Sequence, residues 1–390
     1  MYEIAKKLKY PCYVLDEKLL IKNLEILSNV SNKSGAKILL ALKGYAFWSS
    51  FNLVSKYLDG ITASGLFESK LGLEEFRKYN LDSEITVFSP AFKKHEILEI
   101  SKFANHIIFN SFNQLDSFLP LLSNTNVKIG LRVNPMYSEV TPRIYNPCIE
   151  GSRLGIPPDE FHFKINNYLP YISGLHFHTH CEQNSDALDR TLEHFEKHFG
   201  KYISKLKWIN FGGGHHITRE DYDTNLLISI IKNFKNKYGD IEIYLEPGEA
   251  IGWNCGVLIG EVVDIIKNKF NIAILDLSPT AHMPDCLEMP YTPSIRGANI
   301  IDLESCMDLN FAYRLGGPSC LAGDIIGDYQ FLKELNIGDK IIIEDMIHYT
   351  IVKNNTFNGI PLPALGIKKE SGEFEIVREF NYMDYKNRNG

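Results

Sequence analysis

Eight short runs rich in β-branched and aromatic residues lie at 37–42, 60–63, 84–88, 106–109, 127–133, 172–178, 207–211 and 241–245. Between them, segments such as 18–30, 66–79, 95–103, 187–199 and 226–238 carry apolar residues at helical spacing. This alternation constrains the fold more than any other property of the chain. Strands joined through helices run parallel, and eight of them are the count for a closed TIM-like (β/α)8 barrel. An open doubly wound sheet uses the same alternation and is the competing arrangement.

After about Cys255 the texture changes. Runs at 257–266, 272–275, 340–344, 349–352 and 374–377 read as strands with few helical segments between them, so a β domain follows the barrel. The opening segment 10–15 also reads as a strand outside the eight and is available to that second sheet. The expected division is a barrel over 17–255 and a β domain built from 1–16 and 256–390. A chain of 390 residues exceeds what one hydrophobic core holds, in keeping with two domains.

Charge narrows the partners. The formal net charge of −7 argues against a phosphate-backbone partner, since nucleic-acid binding needs a basic face. It suits a cationic small-molecule substrate. Seven scattered cysteines with no C-x-x-C pair read as reduced thiols, which points to the cytoplasm. No apolar run reaches the roughly 20 residues that a membrane helix needs, and no signal-peptide pattern is present.

Barrel enzymes carry their chemistry at the carboxyl ends of the strands. Lys43 follows the first strand, Arg132 sits near the end of the fifth, and His178 ends the sixth. Gly212, Gly213 and Gly214 follow the seventh, and Glu246 follows the eighth. Singly, each has a plain structural reading: a solvated lysine, a tight turn, a capping acid. Together they suggest a site. A partly desolvated lysine amine can form a Schiff base. Consecutive glycines let backbone N–H groups cradle a phosphate. A buried glutamate calls for a cationic partner, such as a protonated pyridine nitrogen.

His176, His178 and His180 alternate in sequence, which on one strand would put all three on one face and open a metallohydrolase reading. That reading leaves Lys43, the glycines and the later motifs unexplained, and no metal is expected. Further on, GPSCLAGD places Cys320 and Asp324 in a glycine-rich loop, and HYT and TFNG follow.

Lys43 after strand one, His178, the glycine run, Glu246-Pro247-Gly248, GPSC and HYT…TFNG occur in the order found in fold-type III pyridoxal-phosphate decarboxylases, and from about Pro11 to Gly359 the chain resembles that family. ALKGYAFW, HFHTHCEQ, NFGGGHHIT, EPGEA and GPSCLAGD most resemble its carboxynorspermidine (carboxyspermidine) decarboxylase branch. The resemblance implies an alanine racemase-like fold, a barrel with a C-terminal β-sandwich or barrel domain, and pyridoxal 5'-phosphate as cofactor. It implies that Lys43 carries the cofactor, His178 stacks on its ring and Arg132 lies beside it. Gly212, Gly213 and Gly214, the backbone near Gly248 and the Tyr349 hydroxyl would hold the phosphate, and Glu246 would pair with the ring nitrogen. Cys320 from a second subunit would return a proton to the substrate carbon, which makes the family an obligate homodimer with shared sites.

Many relatives have an arginine where this chain has Glu249. A carboxylate beside a phosphate is repelled by it, so Glu249 makes sense if it faces a cationic substrate. Asp285, in the loop after Asp276, and Asp324 are further candidates to bind substrate amines, with Asp276 beside them. The nearest alternatives are decarboxylases of ornithine, arginine or diaminopimelate. The last would need a cation at the far end of its pocket, for which Arg296 and Arg314 are the candidates. A racemase would need two bases, commonly with a tyrosine where this chain has Cys320, and a cofactor-binding protein without activity would lack the β domain.

Overall fold

A computed structural model describes residues 1–239 and 241–390. The chain divides into two compact units, one of Lys22–Ile251 and one of Met1–Ile21 with Gly252–Gly390. Both divisions fall a few residues from the expected ones. The first lies inside the continuous helix Glu17–Ser34 rather than in a linker.

After strand β1 (Cys12–Asp16) come the eight barrel strands: β2 (Lys37–Ala41), β3 (Gly60–Ala63), β4 (Glu84–Ser89), β5 (His106–Phe109), β6 (Lys128–Arg132), β7 (Gly174–His176), β8 (Trp208–Asn210) and β9 (Glu242–Leu245). Each pairs in parallel with the next, and β9 closes on β2 through Lys37 opposite Tyr244. The barrel is closed, so the open-sheet alternative does not apply. Helices cover it with their apolar faces. Ser185–Ile203 buries Leu188, Leu192, Phe195, Phe199 and Ile203 at helical spacing, and Thr224–Tyr238 starts where the Asp223 carboxylate accepts from the Leu226 N–H.

Inside the barrel, Trp208 is 1% exposed and packs with Leu39, Ile108 and Tyr244. Its ring fills the space over two glycines. A Cβ at Gly174 would stand 2.0 Å from it, and one at Gly130 2.3 Å. Trp208→Ala should therefore leave a void in the core and cost about 3–5 kcal/mol. Urea unfolding monitored by circular dichroism would read this as a clear fall in midpoint, and an unchanged midpoint would contradict it. At the amino ends of the strands Lys37 pairs with Glu84 and, at 2.9 Å, with Glu242, and the Tyr244 hydroxyl donates to Glu84. These groups satisfy one another, which leaves the opposite end for chemistry.

The second unit is a nine-stranded mixed sheet. Its remaining strands are β10 (Gly256–Asn268), β11 (Phe270–Leu275), β12 (Ala298–Ile300), β13 (Ala312–Gly316), β14 (Ile325–Phe331), β15 (Lys340–Glu344), β16 (Ala364–Lys368) and β17 (Phe374–Arg378). The 13-residue β10 joins its two halves. Residues at its start pair with β1 and β15, and those from Val262 onward pair with β11. Strand β1 lies between β10 and β16 in this sheet. One expected strand is absent: residues 349–352 fall within the helix Tyr349–Lys353. The β-branched residues suit a strand, but here they form a short helix, in which the Thr350 hydroxyl bonds back to the Met346 carbonyl four residues earlier.

Candidate active site

The expected site residues of the barrel unit gather at the carboxyl ends of its strands. Lys43 lies two residues past β2, where the Gly44 N–H bonds back to the Ala41 carbonyl and the chain turns sharply. Main chain from the end of β9 packs against this turn. Ala41 N–H donates to the Pro247 carbonyl, and a Cβ at Gly44 would stand 2.9 Å from the Gly248 Cα. Any other residue at Gly44 would force the two loops apart. Residue Lys43 reaches solvent at the mouth of the barrel, but protein atoms surround its amine. This burial, reinforced by the Arg132 charge, lowers the Lys43 pKa against the opposing pull of Glu246, Cys181 and Glu68. The shift favours the neutral, nucleophilic amine.

Arg132 is 5% exposed, with its guanidinium 4.7 Å from the centre of the Phe88 ring and 3.4 Å from the His178 carbonyl. Burial lowers its pKa to about 10, which leaves it a cation near neutrality.

Glu246, just past β9, is 6% exposed. Burial opposes its ionisation, but His176, Asn210 and Thr62 outweigh that and hold it down at about 2. Asn210 donates to Oε1 at 2.7 Å, and His176 Nε2 lies 3.3 Å from Oε2. The site thus contains a buried carboxylate whose neighbours favour its ionised form.

The three histidines do not share a strand face. Strand β7 ends at His176, short of the expected 178. His178 and His180 lie in the loop beyond it, where the glycine run packs closely. A Cβ at Gly212 would meet the Phe177 carbonyl at 2.3 Å, and one at Gly214 the His180 carbonyl at 2.1 Å. His176 turns to Glu246, His178 Nδ1 accepts from the Gly213 N–H at 2.9 Å, and His180 packs its ring 4.8 Å from that of His215. Burial keeps His178 and His180 well below their ordinary pKa. Among the described residues, no group of three or more His, Cys, Asp or Glu could hold a metal ion.

These features fit pyridoxal phosphate. The Gly213 bond leaves the His178 proton on Nε2, so a neutral, half-buried imidazole is held rigidly at the mouth. Asn210 and His178 occupy the N–H groups of Gly212 and Gly213, whereas among the described residues no acceptor meets the Gly214 N–H. An amide without an acceptor in a glycine turn suits an anion. Sequence reasoning passed over the roles of Asn210, Thr62, Phe88 and Cys181. It noticed His176 only as a metal ligand, although the spacing His-x-His did mark it.

In the sheet unit, Cys320 is exposed on a loop organised by Asp324. One Asp324 oxygen accepts from the Ser278 hydroxyl and the Thr280 N–H, and the other from the Ser319 N–H. The Asp276 carboxylate accepts from the Glu261 N–H. Asp285 pairs with Lys353, whose ammonium also lies 5.3 Å from the centre of the Tyr349 ring. Arg296 is paired with Glu344, and Arg314 with Asp328, both through two N–H groups.

A family model described as pyridoxal-dependent decarboxylase, C-terminal sheet domain, matches residues 12–347. A carboxynorspermidine/carboxyspermidine decarboxylase of Campylobacter jejuni is 50% identical over 390 residues, covering 98% of this chain and 99% of that protein. A carboxyaminopropylagmatine decarboxylase of Synechocystis is 44% identical over 381 residues, covering 97% and 95%. Among solved structures, carboxynorspermidine decarboxylase from Campylobacter jejuni complexed with norspermidine superposes with a TM-score of 0.89 at 48% identity, over 98% of this chain and 100% of that one. Diaminopimelate decarboxylase from Helicobacter pylori, at 20% identity and a TM-score of 0.82, shares the fold. With the family model running through both units and half of all positions identical to a full-length relative, the chain belongs to the pyridoxal-dependent decarboxylases.

Proposed function

We propose that this chain decarboxylates carboxynorspermidine and carboxyspermidine, releasing norspermidine and spermidine in polyamine biosynthesis. The observation that carries the reading is the 50% identity, over nearly the full length of both chains, to a relative named for these two substrates. The site adds support. A triamine substrate needs acidic partners, and Glu249 stands half-buried immediately after Gly248. A diaminopimelate substrate would instead need a cation for its distal carboxylate. The two arginines considered for that task, Arg296 and Arg314, are already paired with carboxylates.

In this reading Lys43 holds the cofactor, His178 packs on its ring and Arg132 stands beside it. Glu246 keeps the ring nitrogen protonated. The Gly214 N–H, the backbone near Gly248 and the Tyr349 hydroxyl hold the phosphate, while Gly212 and Gly213, whose N–H groups are taken by Asn210 and His178, shape the turn around it. Pyridoxal phosphate, when bound, draws off the electron pair freed as the bond from Cα to the carboxylate breaks. Cys320 of a second copy returns a proton to that carbon, so the working unit is a homodimer with shared sites. All seven cysteines are free thiols, in keeping with a cytoplasmic setting. No helix among the described residues is long and apolar enough to cross a membrane. Glu249 is the carboxylate proposed to read the substrate amines; Asp285, also expected to do so, is already paired with Lys353. Asp276 and Asp324, also expected to contribute, accept hydrogen bonds from their own unit and enter the reading as supports of that unit.

Purified protein supplied with cofactor should release carbon dioxide from the two triamine substrates with a kcat/KM at least about 100-fold above that for ornithine or diaminopimelate. Faster turnover of either small diamino acid would overturn the reading. Carboxyaminopropylagmatine, the substrate named for the Synechocystis relative, belongs in the same assay. Glu249→Gln should raise KM for the triamine about tenfold or more, the scale of one lost charged hydrogen bond, with cofactor affinity unchanged. Loss of the cofactor in that variant would assign Glu249 to the phosphate side instead.

A further inference from the structure

We propose that His176 is a positioning residue for Glu246, an imidazole whose placement beside one carboxylate oxygen orients the acid. The inference rests on the role of Glu246 proposed above and extends it to a residue that contacts neither substrate nor cofactor in that scheme. Three adjacent strands carry the unit: β7 ends at His176, β8 ends at Asn210 in register with it, and Glu246 follows β9. His176 and Asn210 are each 1% exposed. Asn210 donates to one carboxylate oxygen at 2.7 Å, and His176 Nε2 faces the other at 3.3 Å. Each oxygen of Glu246 therefore has its own polar neighbour, and the carboxylate plane is fixed from two sides.

The His176 contact is long for a hydrogen bond, so the imidazole acts mainly through the dipole of an N–H donor facing the carboxylate. Packing holds it there. The ring lies 5.5 Å from that of Phe88, whose own ring lies against the Arg132 guanidinium. The charge state matters for the chemistry. Burial keeps His176 below its ordinary pKa, with Arg132 and Lys43 acting in the same direction and Glu246 in the other. A histidinium would form an ion pair with Glu246 and spend its charge. A neutral imidazole leaves the whole negative charge for a protonated ring nitrogen.

Two nearly isosteric variants separate donor from packing. Gln at 176 keeps an N–H donor and Met does not. H176M, loaded with pyridoxal phosphate, should lose about tenfold in kcat, with KM changed less than about threefold. Its cofactor dissociation constant should rise about tenfold, and the pH at which the bound cofactor's absorption band changes should move by about one unit. H176Q should stay within about threefold of the unmodified enzyme on each count. Equal behaviour of the two variants, whether both impaired or both unaffected, would overturn the proposal, as would a matching fall in both melting temperatures. Glu246→Gln is the control. If it leaves the absorption band and its pH response unmoved, the Glu246 assignment itself fails. If it shifts the band while H176M does not, only the role of His176 fails.

Discussion

Lys43→Ala should abolish decarboxylation, lowering kcat by at least about 1000-fold, since it removes the amine proposed to hold the cofactor. The burial that lowers its pKa and the nearby Arg132 charge act on an amine at the end of β2. Borohydride reduction of the loaded enzyme followed by peptide mapping gives an independent readout. The label should fall on Lys43 in the unmodified chain and be absent in the variant. Arg132, Glu246 and His178 do not depend on the Lys43 side chain for their positions, so the alanine variant should fold and still bind the cofactor non-covalently, with weaker affinity. Retained activity, or label on a different lysine, would remove the basis of the proposed function.

Cys320→Ala should lower kcat about 100- to 10,000-fold, the range for loss of a positioned acid. The exposed thiol sits on a loop that Asp324 holds through Ser278, Thr280 and Ser319, so removing it should leave the loop intact. If each site combines Lys43 of one copy with Cys320 of another, the two inactive variants should rescue each other. Random exchange makes half the dimers mixed, each with one complete site, so an equal mixture should recover about a quarter of the normal rate. No recovery after confirmed subunit exchange would place both groups in one chain, and a monomer by sedimentation would contradict the shared site altogether.

The barrel was legible because its strands announce themselves twice, by β-branched runs and by the helices between them. Strand ends follow from the alternation, which is why Lys43, Glu246 and the glycine run could be picked out together. The sheet unit was harder to read. Strand β13 carries Arg314, β14 contains Gly327 and Asp328, and β12 spans three residues, so none shows a clean period of two. In contrast, the Thr350-Ile351-Val352 run looks like a strand by its β-branched residues and lies in a helix. The polar partners of Glu246 were hidden for another reason. His176, Asn210 and Thr62 are far apart in sequence and meet only through strand register, which a linear pattern does not encode.

The abutting glycines at 44 and 248 have one further consequence. They bring the loop bearing Lys43 against the loop that follows Glu246 main chain to main chain, so the two backbones meet without a long side chain wedged between them. Selection can therefore recut the adjacent position, glutamate here, to suit a new metabolite while the reacting pair keeps its alignment. Divergence in diet without divergence in chemistry is what such a joint permits.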